Sequence, residues 1–335
     1  MDLLAAGVIG LGRVGTALVG ALAAVDHPIA AVTARSRASR EVAALRLPRV
    51  PVVSAAEVAR RAGLVFLTVP DAVIPKLAAE LADHWRPGQI VVHTAGALGL
   101  DVLEPASRAG AITLAIHPVM TFNGSSNDVA AMCGVPFAVE AGPGLLPLAE
   151  ALAIELGGSP FPLPPGSRAL YHAALAHASN HLVTLIAQAT ELLESIGLAN
   201  PGELIRPLAQ ASLAGALDIG IEALTGPASR GDVSTLAAHV AALQADGNGA
   251  TNRLADPDAQ KMVDSYLTMA RATVRAASVA GRISPDQADQ ALAVLGADQA
   301  VGALGTDQVD GADQAVDADQ AGGALGADQA DGAAE

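Results

Sequence analysis

The chain has 335 residues, of which 51% are hydrophobic and 2% aromatic, and its formal net charge at pH 7 is −15. This length accommodates about two domains, with cores built from small aliphatic side chains. The acidic balance argues against a nucleic-acid partner, because binding to phosphates requires clustered Lys and Arg.

Cysteine content and the first residues bear on location. Cys133 is the only cysteine, so an internal disulfide is impossible and a reducing, cytoplasmic location is expected. Residues 3–25 are largely apolar, but Met1 and Asp2 bring no positive charge and Arg13 interrupts the run. We therefore expect neither a secretory signal nor a membrane span.

The first 160 residues alternate apolar strand-like runs with helical patterns. Strands are predicted over 4–9, 29–34, 50–53, 64–69, 90–94, 112–117 and 135–139. Helices are predicted over 14–24, 37–45, 55–62, 72–85 and 145–156. This alternation is typical of βαβ units, and it predicts an α/β, Rossmann-like, doubly wound sheet that is mostly parallel.

The pattern changes after the Pro-rich stretch 157–166. Only helices are predicted beyond it, over 167–198, 201–217, 232–246, 257–281 and 284–295. The sequence thus predicts a sheet domain over 1–160 and an all-α domain over 161–295.

The last forty residues form a repeat with its own composition. Gly-Ala-Asp-Gln-Ala occurs at 296–300, 311–315 and 326–330, and residues 296–335 hold eight Asp, one Glu and no Lys or Arg. Ala, Gly, Asp and Gln offer too little large apolar surface to offset the entropy of ordering. We predict an acidic, disordered tail; a solenoid, the alternative, would need bulkier buried residues.

A glycine-rich turn follows the first predicted strand. Gly10, Gly12 and Gly15 form G-x-G-x-x-G between a strand and a helix, which is the context of dinucleotide binding. Gly10 would allow the tight turn, Gly12 the approach of a pyrophosphate, and Gly15 the packing of the helix on the strand. Arg13 and Val14 begin a helix whose free N–H groups attract an anion. The alternative is a strand–helix turn without a ligand.

The end of the second strand bears on the choice of cofactor. A site that prefers NAD has an acidic residue about 20 residues beyond the glycines. Here Arg35, Ser36 and Arg37 occupy that region, and their side chains could hold a 2′-phosphate. They predict NADP(H), although a solvated helix start would use the same residues.

Two further strand ends are predicted to face the cofactor. Val69 and Pro70 belong to "TVPD", and Thr94 and Gly96 belong to "HTAGAL". Because parallel strands present their carboxyl ends at one edge of a sheet, both loops should lie beside the glycine turn. Asp71 could equally be a plain helix cap.

Together these motifs resemble one family. They are "GLGRVG", "ARS", "TVPD", "HTAGAL", "HPVMTF" (117–122), "YHAALAHASNHLVTL" (171–185) and "LTGPASRGD" (224–232). The chain resembles, over about residues 5–290, a bacterial Rossmann-like family whose C-terminal helical domain has no known function. That family is similar to pyrroline-5-carboxylate reductase, ketopantoate reductase and dehydrogenases of the 6-phosphogluconate dehydrogenase type.

The resemblance implies an NADP-binding sheet domain and a 6-phosphogluconate dehydrogenase C-terminal-like helical domain that closes the site and forms a homodimer. It implies an NADPH-dependent oxidoreductase that reduces a small keto acid, with ketopantoate, a precursor in pantothenate biosynthesis, as the first substrate. Reduction of a cyclic imine and non-catalytic binding of NADP are the alternatives.

The predicted interdomain helix departs from the pattern of related hydroxyacid dehydrogenases, which place a lysine there. The only lysines are Lys76 and Lys261, so His172 and Asn180 are the candidate catalytic residues on this helix, with His177 beside them. Asn180 could orient a carbonyl and a histidine could donate the proton. Packing between helices would also explain an asparagine there.

Two candidate catalytic residues lie elsewhere. His117 ends a predicted strand, at the edge where ligands bind, and Arg230 lies in the "TGPASRGD" loop, where it could hold a substrate carboxylate. A structural His and an internal pair between Arg230 and Asp232 are the alternatives. The spacing of His and Cys predicts no metal site.

Overall fold

The structure is a computed structural model that describes residues 3–245 and 257–296. The predicted disorder of the repeat tail concerns residues that, apart from Gly296, lie outside the described ones. The chain divides into two units, Met1–Ala189 and Thr190–Glu335, and each is described by itself. The boundary near residue 160 stays a prediction.

Seven strands form one sheet in the first unit. They are β1 (Ala6–Ile9), β2 (Ile29–Thr33), β3 (Leu64–Leu67), β4 (Ile90–His93), β5 (Ile112–Pro118), β6 (Pro136–Ala141) and β7 (Ser159–Pro162). Their order is β2–β1–β3–β4–β5–β6–β7, and only β5 and β6 pair antiparallel. The predicted Rossmann-like, mostly parallel sheet is therefore confirmed.

Most of the described α-helices match predicted ones, but the short helices over 104–108, 128–131 and 227–230 were not predicted, and the last lies in the expected "TGPASRGD" loop. The described α-helices are α1 (Arg13–Ala24), α2 (Arg37–Arg46), α3 (Ala55–Arg61), α4 (Ile74–Glu80), α5 (Glu104–Arg108), α6 (Asp128–Ala131), α7 (Leu146–Glu155), α8 (Arg168–Ser195), α9 (Pro201–Ile219), α10 (Pro227–Arg230), α11 (Val233–Gln244), α12 (Pro257–Val279) and α13 (Pro285–Val294). The predicted helix 72–85 is broken into α4 and two flanking 3-10 turns, Asp71–Val73 and Ala82–His84.

Both faces of the sheet are buried, as a doubly wound fold requires. Val8, Phe66 and Val92 point to a cluster that includes α1 and α7, whereas Val65 and Val91 point to the opposite cluster with α3, α4 and α5. Successive residues of a strand face opposite sides, so these short apolar strands fill two cores at once.

The register of the parallel strands brings their carboxyl ends level. Ile9 pairs with both Thr33 and Leu67, Leu67 pairs with His93, and His93 pairs with Ala115. The glycine turn and the loops after β3, β4 and β5 therefore begin at one edge. Because β1 lies between β2 and β3, the strand order reverses at this point, which is where α/β sheets bind ligands.

Two strand predictions were wrong, and proline accounts for both. Residues 50–53 make only a single bridge, between Val52 and Val32, because Pro51 has no N–H to extend a ladder. No strand was predicted in the Pro-rich stretch 157–166, which contains β7 with Pro160 and Pro162. Proline is tolerated there because β7 is the edge strand of the sheet.

The second unit has a compact core from α11, α12 and α13, whose buried side chains include Leu236, Val274 and Ala291. By contrast, α9 buries only Pro201 along its 19 residues. Within the described residues, no helix is long and apolar enough to cross a membrane.

Candidate functional site

The glycine turn is held tightly against the loop after β3. Gly10 has φ +113°, and a Cβ there would lie 2.8 Å from the backbone carbon of Thr68. A Cβ on Gly15 would overlap the carbonyl oxygen of Gly10 and lie 2.7 Å from Thr68 Oγ1. Gly12 differs, because a Cβ there would meet no atom within 4 Å. The turn therefore leaves an open cradle at Gly12, where a ligand could contact the backbone.

Two threonines that the sequence reasoning missed fix this turn. Thr33 Oγ1 accepts a hydrogen bond from Gly10 N at 2.8 Å, and Thr68 Oγ1 donates to the Gly10 carbonyl oxygen at 2.6 Å. Both threonines lie where β2 and β3 end beside β1. The free N–H groups of α1 start immediately after Gly12, so an anion could bind there.

A pocket of about 400 Å³ extends from this cradle along the sheet edge. The residues that line it are Gly12, Arg13, Val14, Thr68, Val69, Pro70, Asp71, Thr94, Gly96, His117, Pro118, Met120, Phe122 and His172. From β1 to β5 the edge spans three strand spacings, roughly 14 Å. The pocket therefore suits an extended ligand with an anionic centre at Gly12 and a second group near His117.

Two histidine rings close the far end of the pocket against Gly96. A Cβ on Gly96 would lie 3.0 Å from His117 Nε2 and would overlap Cδ2 of His172. The two rings meet edge to face, with centroids 6.0 Å apart. The absence of a side chain at Gly96 is what allows these two rings to approach the backbone there.

His117 is also bonded from its other side. Its Nδ1 lies 2.8 Å from Tyr171 Oη, and the rings meet edge to face. Burial, then the nearby His172 and Arg168, lowers the pKa of His117 to about 4. Burial raises the pKa of Tyr171 to about 12. At neutral pH both side chains are therefore uncharged. The His117 ring then carries one N–H proton, and Tyr171 carries its hydroxyl proton.

Beneath this end of the pocket lies a buried ion pair. Arg168, at the first residue of α8, donates to Glu140 Oε2 at 2.5 Å and to the carbonyl oxygens of Ala95 and Ala115 at 3.1 and 2.9 Å. The Arg168 side chain is only 2% exposed, and that of Glu140 is 10% exposed. This arginine thus fixes the start of α8, and with it Tyr171, to strands β4–β6.

A further histidine, His93, is fully buried at the end of β4. Its Nε2 lies 3.0 Å from the Gly99 carbonyl oxygen, whereas Nδ1 has no partner in the described part of the chain. Burial, together with the charge of Arg168, lowers the pKa of His93 to about 4. Its side chain is absent from the lining of the pocket, so it contributes to the framework of the site.

The predicted 2′-phosphate residues lie at the end of β2, one strand from the glycine turn. Ser36 caps α2 by accepting from Ser39 N, Arg37 pairs with Glu41, and both guanidinium-bearing residues, Arg35 and Arg37, are exposed. Among the described residues, no hydrogen bond or ion pair holds the Arg35 guanidinium. Arg40, which the sequence reasoning missed, donates to the Arg35 carbonyl oxygen at 2.6 Å and adds a third positive charge.

Two predicted catalytic residues lie outside the pocket lining. Asn180 is exposed on α8, where its backbone carbonyl oxygen accepts a hydrogen bond from Thr184 Oγ1. Arg230 is exposed at the end of α10 in the second unit. Asp232 caps α11 by accepting from Thr235 N, and hydrogen bonds from Thr235 and Ser234 lower the pKa of its carboxyl to about 2.

The remaining histidines on α8 are not among the residues that line the pocket. His177 Nδ1 lies 2.8 Å from His181 Nδ1, and both rings are exposed. In the described ranges, no group of three or more His, Cys, Asp or Glu could hold a metal ion.

Family models match the chain in two segments. A model of a Rossmann-like domain matches residues 2–118, and a model of a domain of unknown function (DUF2520) matches residues 135–273. These two matches confirm the resemblance as far as a Rossmann-like domain followed by a C-terminal domain of unknown function. No protein of curated function matches the sequence.

Several solved structures are similar to this chain over almost their whole length. A Bacteroides fragilis protein, provisionally named an NADP oxidoreductase, is 24% identical with a TM-score of 0.66, over 82% of this chain and 99% of that one. A Thermotoga maritima protein is 22% identical with a TM-score of 0.54, over 81% and 98%. A reductive aminase from Aspergillus terreus, in complex with NADPH and ethyl levulinate, is 18% identical with a TM-score of 0.57, over 86% and 98%. Because these identities are all below 25%, the similarity shows a shared fold and no more.

Proposed function

We propose that this chain is an NADPH-dependent oxidoreductase that reduces a small carbonyl or imine compound. One observation carries the proposal: a single pocket joins the open cradle at Gly12 to the paired rings of His117 and His172. The NADPH bound in the reductive aminase from Aspergillus terreus, which shares this fold, supports it.

The cofactor fits the residues present. Gly12 and the start of α1 would hold the pyrophosphate, and Arg35, Ser36 and Arg37 would hold the 2′-phosphate. Val69, Pro70, Thr94 and Gly96 would line the nicotinamide half. When bound, NADPH supplies a hydride. The chain positions the substrate and provides the proton, and His117 and His172 are the catalytic candidates in the pocket.

Keto acids are the first substrates to test, with ketopantoate, and thus a role in pantothenate biosynthesis, ahead of the others. A keto acid needs a cation for its carboxylate, and we assign this role to Arg230, with Asn180 orienting the carbonyl. Both residues are exposed, so they are available to a ligand.

Reduction of an imine is the second candidate. Among the described residues that line the pocket, the only cation is Arg13, beside the cradle. An iminium substrate carries its own proton and positive charge, so it requires neither a lysine nor a carboxylate-binding cation. The reductive aminase from Aspergillus terreus shares this fold.

Turnover assays distinguish these functions. Purified protein is mixed with NADPH and a panel of keto acids and cyclic imines, and the loss of NADPH absorbance is followed. We expect His117→Gln to abolish turnover while NADPH affinity, measured by calorimetry, is retained. Tight NADPH binding without turnover on any substrate would leave a non-catalytic NADP-binding protein. Absence of binding to either nicotinamide dinucleotide would refute the proposal.

We also propose that the protein is a cytoplasmic homodimer, with a sheet domain over 1–160 and a helical domain over 161–295. On α9, Leu204, Leu208 and Leu217 are 58%, 71% and 78% exposed. Leu204 and Leu208 lie four positions apart and therefore share one face of the helix, and an exposed apolar face of this kind marks a protein interface. Sedimentation should report a dimer that Leu208→Glu dissociates, whereas Leu45→Glu, at an 81% exposed position on α2, should leave it intact. A monomeric wild-type protein would refute this.

A further inference from the structure

We infer that Tyr171 is a positioning residue that holds His117 with its proton on Nε2, so that His117 presents a hydrogen-bond donor to the reacting group in the pocket. This inference rests on the proposed reductase function only for the identity of the acceptor. The geometry that supports it lies entirely within the first unit.

The contact between the two side chains is well defined. Tyr171 Oη lies 2.8 Å from His117 Nδ1, although the two residues are 54 positions apart in the sequence. Tyr171 is in the first turn of α8, which Arg168 ties to the strands below, and the ring of Phe161 packs edge to face on its other side. The tyrosine is therefore fixed at both its ring and its hydroxyl.

The direction of this hydrogen bond follows from acidity. A phenol is a stronger acid than a neutral imidazole N–H, and an imidazole nitrogen is a stronger base than a phenolic oxygen. The favoured arrangement is therefore Tyr171 O–H donating to His117 Nδ1, and the other ring nitrogen, Nε2, then carries the proton.

Nε2 lies at the wall of the pocket, because its neighbour Gly96 and His117 itself both line that pocket. Nε2 lies against Gly96, 3.0 Å from the position of a Cβ there, and within the described ranges no protein group bonds to it. A polar N–H at the wall of a ligand pocket is a donor for a substrate oxygen or nitrogen. In this arrangement His117 can act without ever becoming an imidazolium.

The proton balance of a reduction is simple. As the carbonyl carbon gains the hydride, the carbonyl oxygen takes the proton from His117 Nε2 and Nδ1 takes the proton of Tyr171. A proton from solvent water then returns to Nε2 as Nδ1 gives its proton back to the tyrosinate oxygen, and the hydroxide formed is neutralised by a proton from the bulk solvent. One hydride and one proton are consumed for each alcohol formed. Tyr171 and His117 are both only partly buried, so water can reach the pair.

The chain contains a matched control. Its only other tyrosine, Tyr266, donates or accepts the same kind of bond with His239 Nδ1 at 2.7 Å, in the second unit. Tyr171→Phe and Tyr266→Phe each remove one hydroxyl from one His–Tyr pair, so any general effect of the substitution appears in both variants.

Nitrogen-15 NMR of the imidazoles in the cofactor-free protein reports the tautomer directly, with the His117 signal assigned by its loss in His117→Gln. We expect wild-type His117 to be protonated at Nε2, and Tyr171→Phe to give a mixture of tautomers. We expect Tyr171→Phe to lower kcat about 100-fold without changing NADPH affinity, since proton donation contributes factors of this size. Tyr266→Phe should change neither.

The possible results distinguish a failure of the Tyr171 assignment from a failure of the proposed function. A wild-type His117 protonated at Nδ1, or a Tyr171→Phe variant with unchanged tautomer and unchanged kcat, would overturn the inference. The wild-type spectrum decides the tautomer even if Tyr171→Phe fails to fold. An Nε2 tautomer in a protein that reduces no substrate would refute the proposed function and leave the assignment of Tyr171 standing.

Discussion

Removing Arg168 should destabilise the first unit by about 4 kcal/mol. Arg168 and Glu140 are 2% and 10% exposed, so Arg168→Met leaves a buried carboxylate without its counter-charge, which costs about 3–5 kcal/mol. The carbonyl oxygens of Ala95 and Ala115 also lose their donor. Because methionine has a similar length and no charge, the loss reports the ion pair and its hydrogen bonds.

Urea unfolding followed by tryptophan fluorescence measures this loss. Trp85 is the only tryptophan and is buried in the first unit, so its signal reports that unit alone. The double variant Arg168→Met, Glu140→Gln should be more stable than the two single losses added together, by at least about 2 kcal/mol. Arg108→Met is the control, because its pair with Glu104 is exposed and should contribute under about 0.5 kcal/mol.

Two results would refute this reasoning. One is a loss below about 1 kcal/mol for Arg168→Met, which is the size expected for an exposed pair. The other is strict additivity of the two substitutions, because it would show that Arg168 and Glu140 do not interact.

Three further predictions concern the site. Arg35→Ala with Arg37→Ala should weaken NADPH binding at least about tenfold, the effect of losing roughly 1.4 kcal/mol of phosphate contacts, and leave NADH binding unchanged in calorimetry. Gly96→Ala should displace the ring of His172, press on that of His117 and abolish turnover, which kinetics at saturating NADPH would show. Unfolding stability should fall from pH 6.5 to pH 4, since His93 and His117, with pKa values lowered to about 4 by burial, resist the protons that the unfolded chain binds.

Each of these has an outcome that contradicts it. Equal losses of NADPH and NADH affinity would exclude a 2′-phosphate at Arg35 and Arg37. A fully active Gly96→Ala would show that the histidine rings can move without consequence. For pH, each histidine contributes at most about 3 kcal/mol, which is present above pH 6.5 and lost on acidification; a flat profile from pH 6.5 to pH 4 would show that neither is buried as described.

The edge of the sheet could be predicted from sequence because its signals are local. The glycine turn and the ends of β3, β4 and β5 are short motifs after apolar runs, and parallel strands align their ends automatically. The sequence therefore places His117 and Gly96 at one edge of the sheet, and in the structure both line the pocket there. What each contacts there depends on side chains from distant segments.

The site residues that the sequence analysis missed are defined by contacts between distant segments of the chain. In the sequence, Arg168 looks like an ordinary charged residue at the start of a helix. Its partner Glu140 comes close to it only because β6 pairs antiparallel with β5. Tyr171 reads as part of an amphipathic helix, and its bond to His117 spans 54 positions. The edge strand β7 was missed because its prolines indicate a loop unless the neighbouring strand is known.

Because α9 buries only Pro201, an interface along this helix would affect which substitutions the protein tolerates. If two copies associate through α9 about a twofold axis, every residue on that helix occurs twice in the interface. A single codon change at Leu208 then alters both halves of the contact at once, so its energetic effect is doubled. Variation along this helix should therefore be more constrained than on any equally exposed helix that faces only water.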